Sequence, residues 1–221
     1  MLTLVAMLAL HLAPADPAAP YRGPQLAASS KLVALAFGAG NSVYVATSKD
    51  EGSSFSTPVK VAEAGVLPLS RHRGPRVAVM GRTIVVTAVK GDTLATGPHA
   101  HGLASDGNLI AWRSTDGGAS WSKGVRINDV ADAAREGLHT LASDGKGTLF
   151  AAWLDLRGDG TQLYGAFSHD AGTTWSKNQM LYKSPSGTIC QCCHPSASFA
   201  KDGTLDVMWR NCLDGARPRS V

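Results

Sequence analysis

The sequence contains no run of lysine or arginine, although the chain of 221 residues has a formal net charge of +4 and a pI near 9.0. Tracts that bind nucleic acid concentrate basic residues in such runs, so no nucleic-acid partner is expected. The sequence also has little uninterrupted hydrophobicity. The apolar run from Leu2 to Leu12 is too short to span a bilayer, and no transmembrane segment is expected.

The first residues fit a secretory signal peptide, although they lack the basic n-region that usually precedes the apolar run. Small residues from Ala13 to Ala15 offer a cleavage site, so we assign residues 1–15 to a signal peptide and 16–22 to a linker. A buried first strand or a misassigned start codon is the alternative. Export predicts a secreted or periplasmic protein whose four cysteines meet an oxidising compartment.

The composition favours an all-β chain with many turns. Of its residues, 24 are glycine and 11 are proline, and 44% are hydrophobic. Glycine and proline mark turns, and this hydrophobic fraction is enough to bury a substantial core. Segments such as 83–89 are apolar on both alternations, which indicates sheets stacked between neighbours.

One eight-residue pattern occurs three times: Ser, a gap, Asp, a gap, Gly, a gap, Ser or Thr, and an aromatic residue. The acidic side chain can accept N–H bonds within its own turn, the glycine supplies a positive φ, and the ring anchors the turn in apolar surroundings. The order predicts a tight turn between two strands. Its structural residues are Ser48, Asp50, Gly52 and Phe55; Ser114, Asp116, Gly118 and Trp121; and Ser168, Asp170, Gly172 and Trp175.

These phrases resemble the Asp-box of sialidases and other bacterial neuraminidase-repeat (BNR) proteins, which lies between the third and fourth strands of a propeller blade. The resemblance implies an all-β, sialidase-like β-propeller of four-stranded antiparallel blades. About three and a half blades of an expected six occupy 23–221, at approximately 23–63, 72–129, 136–183 and 190–221, the last incomplete. We therefore expect a fragment of a longer propeller.

In a blade whose innermost strand comes first, the start of the first strand and the loop between the second and third strands share one face. The Asp-boxes then lie on the opposite face. Sorted by this rule, the most reactive side chains gather at one rim. They include Arg71, His72 and Arg73; His99 and His101; Arg135, Glu136 and His139; Asp155, Arg157 and Asp159; and the segment 190–195.

The phrase Arg22-Gly23-Pro24 resembles the Arg-Ile-Pro phrase near the start of sialidases, with glycine in place of isoleucine. Three arginines of that family clamp the substrate carboxylate, a bidentate task that suits guanidinium. The resemblance implies Arg22, Arg73 and Arg71 as carboxylate-binding residues and Glu136 as a catalytic residue. The family's tyrosine nucleophile would come from a later blade, and no aspartate matches its acid/base. Alternatively, these arginines are charged residues of surface loops that contact only solvent.

A cysteine-rich phrase, Cys190-Gln-Cys192-Cys193-His194-Pro195, begins the last predicted blade. It resembles a phrase in a bacterial exo-α-sialidase-like subgroup of Asp-box proteins. A two-residue turn at Asp202-Gly203 would pair Thr204 with Lys201 and set Cys193 opposite Cys212, within disulfide range. A looser turn would shift the pairing to Cys192.

Four interpretations of this phrase stay open. The first is a structural disulfide between Cys193 and Cys212, which export favours. The second is a copper or zinc site formed by Cys190, Cys192, Cys193, His194 and Cys212, with help from His99, His101 or His139. The third, c-type haem, fits the spacing of Cys190, Cys193 and His194, but a buried strand leaves little room for the macrocycle. The fourth is a redox-active thiol pair.

The resemblance implies an exo-glycosidase that hydrolyses terminal acidic sugars of the sialic-acid type from glycans. In this hypothesis Arg22 and Arg73 hold the sugar carboxylate, and Glu136 lies near the reacting centre. The alternative is a non-catalytic module that binds a glycan or a metal through the same rim and its Cys/His cluster. A purely structural interaction propeller is the third hypothesis.

Overall fold

The computed structural model describes residues 18–97 and 100–211. Within these ranges the chain forms strands and turns without a helix, arranged as three four-stranded antiparallel sheets and one two-stranded sheet. In each four-stranded sheet the strands lie in the order in which they follow one another along the chain. The predicted all-β fold of four-stranded antiparallel blades is confirmed. None of the described residues forms a helix long and apolar enough to cross a membrane.

The first sheet comprises β1 (Arg22–Ala28), β2 (Val33–Ala39), β3 (Ser42–Ser48) and β4 (Val59–Glu63). The second comprises β5 (Arg76–Met80), β6 (Thr83–Lys90), β7 (Asn108–Ser114) and β8 (Val125–Arg126). The third comprises β9 (His139–Ser143), β10 (Leu149–Asp155), β11 (Gln162–Ser168) and β12 (Gln179–Tyr182). The last hairpin comprises β13 (Ser196–Phe199) and β14 (Leu205–Met208). The predicted signal peptide at 1–15 lies outside the described residues.

The sheets stack side by side through their first strands. Strand β1 contacts β5, β5 contacts β9, and β9 contacts β13. The first strands therefore line the inside of the stack and the fourth strands its outside, as in the blades of a propeller. Across the part of the chain that the structure describes, this arc of sheets is not closed into a ring.

Apolar clusters fill the spaces between consecutive sheets. On β6, Ile84 and Val86 lie in the cluster shared with the first sheet, whereas Val85 lies in the cluster shared with the third sheet. Successive side chains of a strand point to opposite faces, and β6 is buried on both, which explains why this strand is apolar throughout. A further cluster packs Phe150 of β10 against Leu205 of the last hairpin.

The strand register puts the Asp-box turns and the starts of the first strands at opposite ends of each sheet. In the first sheet, Arg22 pairs with Gly38 near the end of β2, whereas Ser48 pairs with Val33 at the beginning of β2. The turn that follows Ser48 therefore lies far from Arg22. The second and third sheets repeat this arrangement.

One hydrogen-bond pattern, repeated in all three turns, holds the Asp-boxes. In the third turn the Ser168 hydroxyl donates to Asp170 Oδ1 at 2.8 Å and accepts from the Gly172 N–H at 2.8 Å. Thr174 donates to Asp170 twice, through its N–H at 2.9 Å and its hydroxyl at 2.6 Å. Gly172 has a φ of 87°, and a Cβ there would lie 2.9 Å from the Val85 side chain of the preceding sheet. Each turn thus closes on itself, and the third also packs against the preceding sheet.

The last hairpin departs from the register that the sequence predicted. The Ala200 N–H donates to the Thr204 carbonyl at 2.8 Å, so Ala200, and not Lys201, lies opposite Thr204. The predicted two-residue turn is wrong, because Lys201 joins it and Gly203 ends it with a φ of 90°. Three-residue hairpin turns often place glycine in this final, left-handed position. The added residue moves every pair of this hairpin by one position.

Candidate functional site

The starts of the first strands come together at one rim. A Cβ on Gly23 would lie 3.0 Å from the Arg73 carbonyl oxygen, so the first sheet touches the segment that precedes β5. Arg73 in turn reaches Glu136, which precedes β9. His72 stacks on His194, which precedes β13, with 5.2 Å between the ring centroids. These contacts link four successive sheets at the end opposite the Asp-box turns.

Arg73 and Glu136 form a charged pair at this rim. The Arg73 Nε donates to the Glu136 carbonyl oxygen at 2.7 Å, and Arg73 Nη2 lies 3.8 Å from Glu136 Oε2. Only 19% and 20% of the two side chains are exposed. Burial raises the pKa of Glu136 in spite of the nearby positive charges of Arg73, Arg135 and His101. Burial also lowers the pKa of Arg73, and the negative charge of Glu136 partly offsets this shift.

A cavity of about 310 Å³ opens beside this pair. Arg22, Arg73 and His101 supply its charged and titratable groups, and the segment 67–69 supplies an apolar wall. The structure therefore brings two of the predicted carboxylate-binding arginines onto one concave surface. Glu136 contacts Arg73 rather than lining the cavity.

Two further arginines of the same segment take other positions. Arg71 is exposed and does not line the cavity, so the third predicted carboxylate-binding residue is not brought to it. Arg76, the first residue of β5, donates to the carbonyls of His72 at 2.9 Å and Pro75 at 3.1 Å. Burial lowers the pKa of Arg76 to about 10. Arg76 thus fixes the backbone that carries Arg73, a role for which the sequence offers no signal.

The histidines predicted to assist a metal also take other positions. His139 is fully buried, and its Nε2 lies 3.0 Å from the Thr87 hydroxyl. Burial lowers the pKa of His139 well below 6.5, and the charge of Arg76 lowers it further, so the ring is neutral near pH 7. His101 lines the cavity. His99 lies outside the described residues.

Cys190, Cys192 and Cys193 bring their sulfur atoms together in one turn. The three Sγ atoms all lie within 4.8 Å of one another, with 3.3 Å between Cys190 and Cys192 and 4.0 Å between Cys192 and Cys193. Cys190 is buried, Cys193 is half-buried and Cys192 is exposed, and none is bonded to another described cysteine. The structure thus unites three of the five predicted metal ligands.

The other two predicted ligands are not seen beside these sulfur atoms. His194 stacks on His72 instead, and burial, followed by the charges of Arg76 and His72, lowers its pKa. Cys212 lies outside the described residues. The predicted disulfide of Cys193 with Cys212 therefore stays a prediction, and the hairpin register from which it was derived is replaced by the one above.

Positive charge surrounds the three sulfur atoms. Arg210 Nη1 lies 3.9 Å from Cys193 Sγ, and Arg73 interacts electrostatically with Cys192. Burial, together with hydrogen bonding to Cys190, raises the pKa of Cys193 to about 12. Burial also acts to raise the pKa of Cys190, but hydrogen bonds from Cys193 and Cys192 outweigh it and lower that pKa. The pKa values of these two thiols are therefore shifted in opposite directions.

A second charged network, on the third sheet, serves packing. Arg157 donates to Asp155 through Nε at 2.8 Å and Nη2 at 2.9 Å, to Asp129 at 2.8 Å and to Asn178 at 2.8 Å. Its guanidinium also lies 4.0 Å above the centre of the Tyr164 ring. The sequence placed Arg157 at the rim. In the structure its hydrogen bonds connect the second and third sheets.

A larger cavity, of about 710 Å³, lies at the opposite end of the molecule between the first two Asp-box turns. Asp50, Ser54 and Asp116 line it, and their side chains are already hydrogen-bonded within their own turns. Hydrogen bonds from Ser48 and then Ser54 lower the pKa of Asp50 to about 2. Because these polar groups are satisfied, we place the candidate site at the smaller cavity.

Three solved structures share this architecture. The chain is 16% identical to an α-L-arabinanase of Penicillium chrysogenum complexed with arabinobiose, with a TM-score of 0.50, covering 80% of this chain and 53% of that one. It is 13% identical to the NanB sialidase of Streptococcus pneumoniae, with a TM-score of 0.51 and coverages of 81% and 26%. It is also 13% identical to a mutant Trypanosoma rangeli sialidase that displays trans-sialidase activity, with a TM-score of 0.51 and coverages of 87% and 34%.

At these identities the likeness establishes the fold. The chain has the sialidase-like β-propeller fold, as the Asp-box pattern predicted. It spans about half the length, or less, of the solved structures it matches. No protein-family model matches the sequence, and no curated protein matches it.

Proposed function

We propose that the rim cavity binds the carboxylate of a terminal acidic sugar, of the sialic-acid type, and that the protein is an exo-acting glycosidase. The observation that carries this proposal is the presence of Arg22 and Arg73 on one cavity, with the partly buried carboxyl of Glu136 in contact with Arg73. A glycan partner is further supported by the solved structures with this fold, which are named as an arabinanase and as sialidases.

Arg73 has the geometry that a carboxylate ligand needs. Its Nε is occupied by the Glu136 carbonyl at 2.7 Å, which fixes the direction of the guanidinium. Its Nη2 stands 3.8 Å from Glu136 Oε2, beyond hydrogen-bond distance, so this nitrogen can still donate to a ligand. A planar guanidinium donates parallel bonds to both oxygens of a carboxylate. In the proposal, Arg22 binds the same group from the first sheet.

Glu136 acts at the reacting centre in this proposal. Burial raises its pKa, the direction in which enzymes shift a carboxyl that acts as a general acid. Glycoside hydrolysis requires a proton transfer at the leaving oxygen or at the nucleophile. The ion pair with Arg73 also orients the Glu136 carboxyl, because two partly buried charges hold one another in place.

Binding without hydrolysis by the described rim is the second candidate, and the cavity favours it because none of the described tyrosines lines it. Sialidases use a tyrosine as the nucleophile. Each tyrosine of this chain contacts another ring or a guanidinium: Tyr21 and Tyr44 contact Phe37, Tyr164 lies under Arg157, and Tyr182 packs on Trp209. In this candidate the described rim retains an acidic sugar and cleaves nothing.

Two assays on the chain of 221 residues separate the candidates. Saturation-transfer NMR with N-acetylneuraminic acid measures binding, and release of fluorophore from a sialic-acid conjugate measures hydrolysis. Binding with turnover supports the glycosidase, and binding without turnover supports the second candidate. No binding below about 1 mM, or equal binding of an uncharged sugar, would contradict both.

Arg73→Lys tests the carboxylate contact directly. The lysine keeps the charge but lacks the planar guanidinium that donates two parallel hydrogen bonds, so we expect the affinity for N-acetylneuraminic acid to fall about tenfold or more. Arg71→Lys is the matched control, because Arg71 lies in the same segment, is exposed and does not line the cavity. Equal losses in both variants would show that the ligand does not occupy this cavity.

A further inference from the structure

The segment 191–195 leaves the pairing between the strands of the last hairpin. The Cys190 N–H donates to the Arg210 carbonyl at 3.0 Å, and Ser196 is already in register with β14. Residues 191–195 therefore oppose Trp209 alone, and the excess chain forms a compact turn. This turn is what brings three cysteine sulfur atoms together.

The separations of the sulfur atoms are close to those around a shared metal ion. Two of the distances are 3.3 Å and 4.0 Å, and all three atoms lie within 4.8 Å of one another, so Cys190 and Cys192 need to move apart only slightly to share an ion. Thiolates bound to one ion at about 2.3 Å, with tetrahedral or trigonal angles, stand about 3.8 to 4.0 Å apart. The sulfur atoms of a disulfide stand about 2.05 Å apart. One ion would satisfy all three sulfurs, whereas a disulfide would leave the third thiol unused.

The donor set favours a soft ion that accepts three ligands. Soft sulfur ligands select copper(I) and zinc over harder ions. Structural zinc takes four ligands, whereas the cluster among the described residues supplies three, enough for trigonal copper(I). Three thiolates around one copper(I) ion leave two negative charges. Arg210, at 3.9 Å from Cys193, and Arg73, which interacts with Cys192, balance these charges.

We propose that Cys190, Cys192 and Cys193 bind one copper(I) ion as a three-thiolate site. Cys192 is exposed and Cys193 half-buried, so the ion can enter from solvent, and the buried Cys190 closes the base of the site. Copper enters as copper(I), and neither copper nor sulfur changes its oxidation state. Binding displaces the thiol protons that remain on the three ligands.

Titration of the reduced chain with copper(I) under anaerobic conditions, in competition with the chelator bicinchoninate, measures stoichiometry and affinity. We expect one equivalent of copper(I) with three sulfur neighbours in the X-ray absorption spectrum. A nitrogen or oxygen neighbour, or a stoichiometry far from one, would overturn the proposal. So would zinc(II) retained in preference to copper(I) when both ions are supplied.

Variants locate the ion. Loss of a residue that only supports a metal ligand lowers the metal affinity by about 10- to 100-fold. Cys192→Ser removes a ligand itself, so its affinity for copper(I) should fall by more than this. Arg210→Gln removes a supporting charge and should stay within that range, with the stoichiometry unchanged. Cys212→Ser is the matched control, since it deletes the fourth cysteine of the sequence and should keep the wild-type affinity. A loss in Cys212→Ser as large as in Cys192→Ser would overturn the three-thiolate assignment.

Two further measurements exclude misfolding and oxidation as explanations. Copper(I) should raise the unfolding temperature of the wild type and of Cys212→Ser but not of Cys192→Ser, because a ligand that binds the folded state stabilises it. The circular dichroism of the three metal-free proteins should coincide. A disulfide among Cys190, Cys192 and Cys193 that resists reduction by glutathione would also contradict the proposal.

Discussion

At the scale of single residues, two neighbouring arginines build the rim by different contacts. Arg76 donates to the carbonyls of the segment before β5, and Arg73, which that segment carries, donates to the Glu136 carbonyl. A buried guanidinium is costly unless its donors are used, and both arginines therefore keep backbone partners. Arg76 fixes the position of Arg73, and Arg73 lines the cavity.

The Asp-box carboxylates give a residue-scale prediction about pH. Burial is the largest single influence and acts to raise the pKa of Asp170, but hydrogen bonds from Thr174 and Ser168 together outweigh it and lower that pKa from 3.8 to about 2. A carboxyl with a lowered pKa contributes stability above about pH 4 that is lost as the pH falls toward about 2. Asp170→Asn should therefore destabilise the fold at neutral pH, and its deficit in unfolding free energy should shrink between about pH 5 and pH 2.

Urea unfolding at a series of pH values measures this difference between the two proteins. Asp206→Asn is the matched control, because Asp206 is an exposed residue of β14 in the last hairpin. Its difference from the wild type should be small, within about 0.5 kcal/mol. A deficit for Asp170→Asn that stays constant down to about pH 2 would show that the carboxylate does not stabilise the turn.

At the scale of elements, burial differs between the middle strands of a blade and its first strand. Leu109 on β7 is completely buried, whereas Leu26 on β1 is 63% exposed. Leu109→Ala should lower the unfolding free energy by about 2–5 kcal/mol, because it removes apolar contacts and leaves a cavity. Leu26→Ala should change it by no more than about 0.5 kcal/mol. Denaturant unfolding of both variants tests the difference, and a large cost for Leu26→Ala would mean that another surface covers β1 in solution.

At the scale of the whole molecule, the stacked sheets protect their members unequally. Strand β10 is buried at every position and lies between two apolar clusters, whereas β14 alternates between half-buried and exposed residues. Amides of buried strands open only with the global unfolding, and those of less covered elements open locally. Backbone amides of β10 should therefore exchange with solvent about a hundredfold more slowly than those of β14, or slower still. Equal protection would contradict this gradient.

The sequence by itself determined the repeated unit and the two ends of each blade. The Ser, Asp and Gly residues of an Asp-box and its second Ser or Thr hydrogen-bond to one another within eight positions, so their order alone specifies the turn. The uninterrupted apolar run of β6 likewise indicates burial on both faces, because successive side chains of a strand point to opposite faces. Together with the resemblance of the repeated pattern to the Asp-box of sialidases, these local facts predicted the all-β propeller fold and the common rim.

Only the tertiary structure decided which residues of the rim meet. Arg73 and Glu136 are 63 positions apart, and the sequence alone kept Arg71 as a further candidate, which the structure leaves exposed. Three cysteines converge while His194 turns to His72, and one extra residue in a turn moved the hairpin register. Such contacts depend on how sheets stack and on which rotamer each side chain takes, and a spacing along the chain fixes neither.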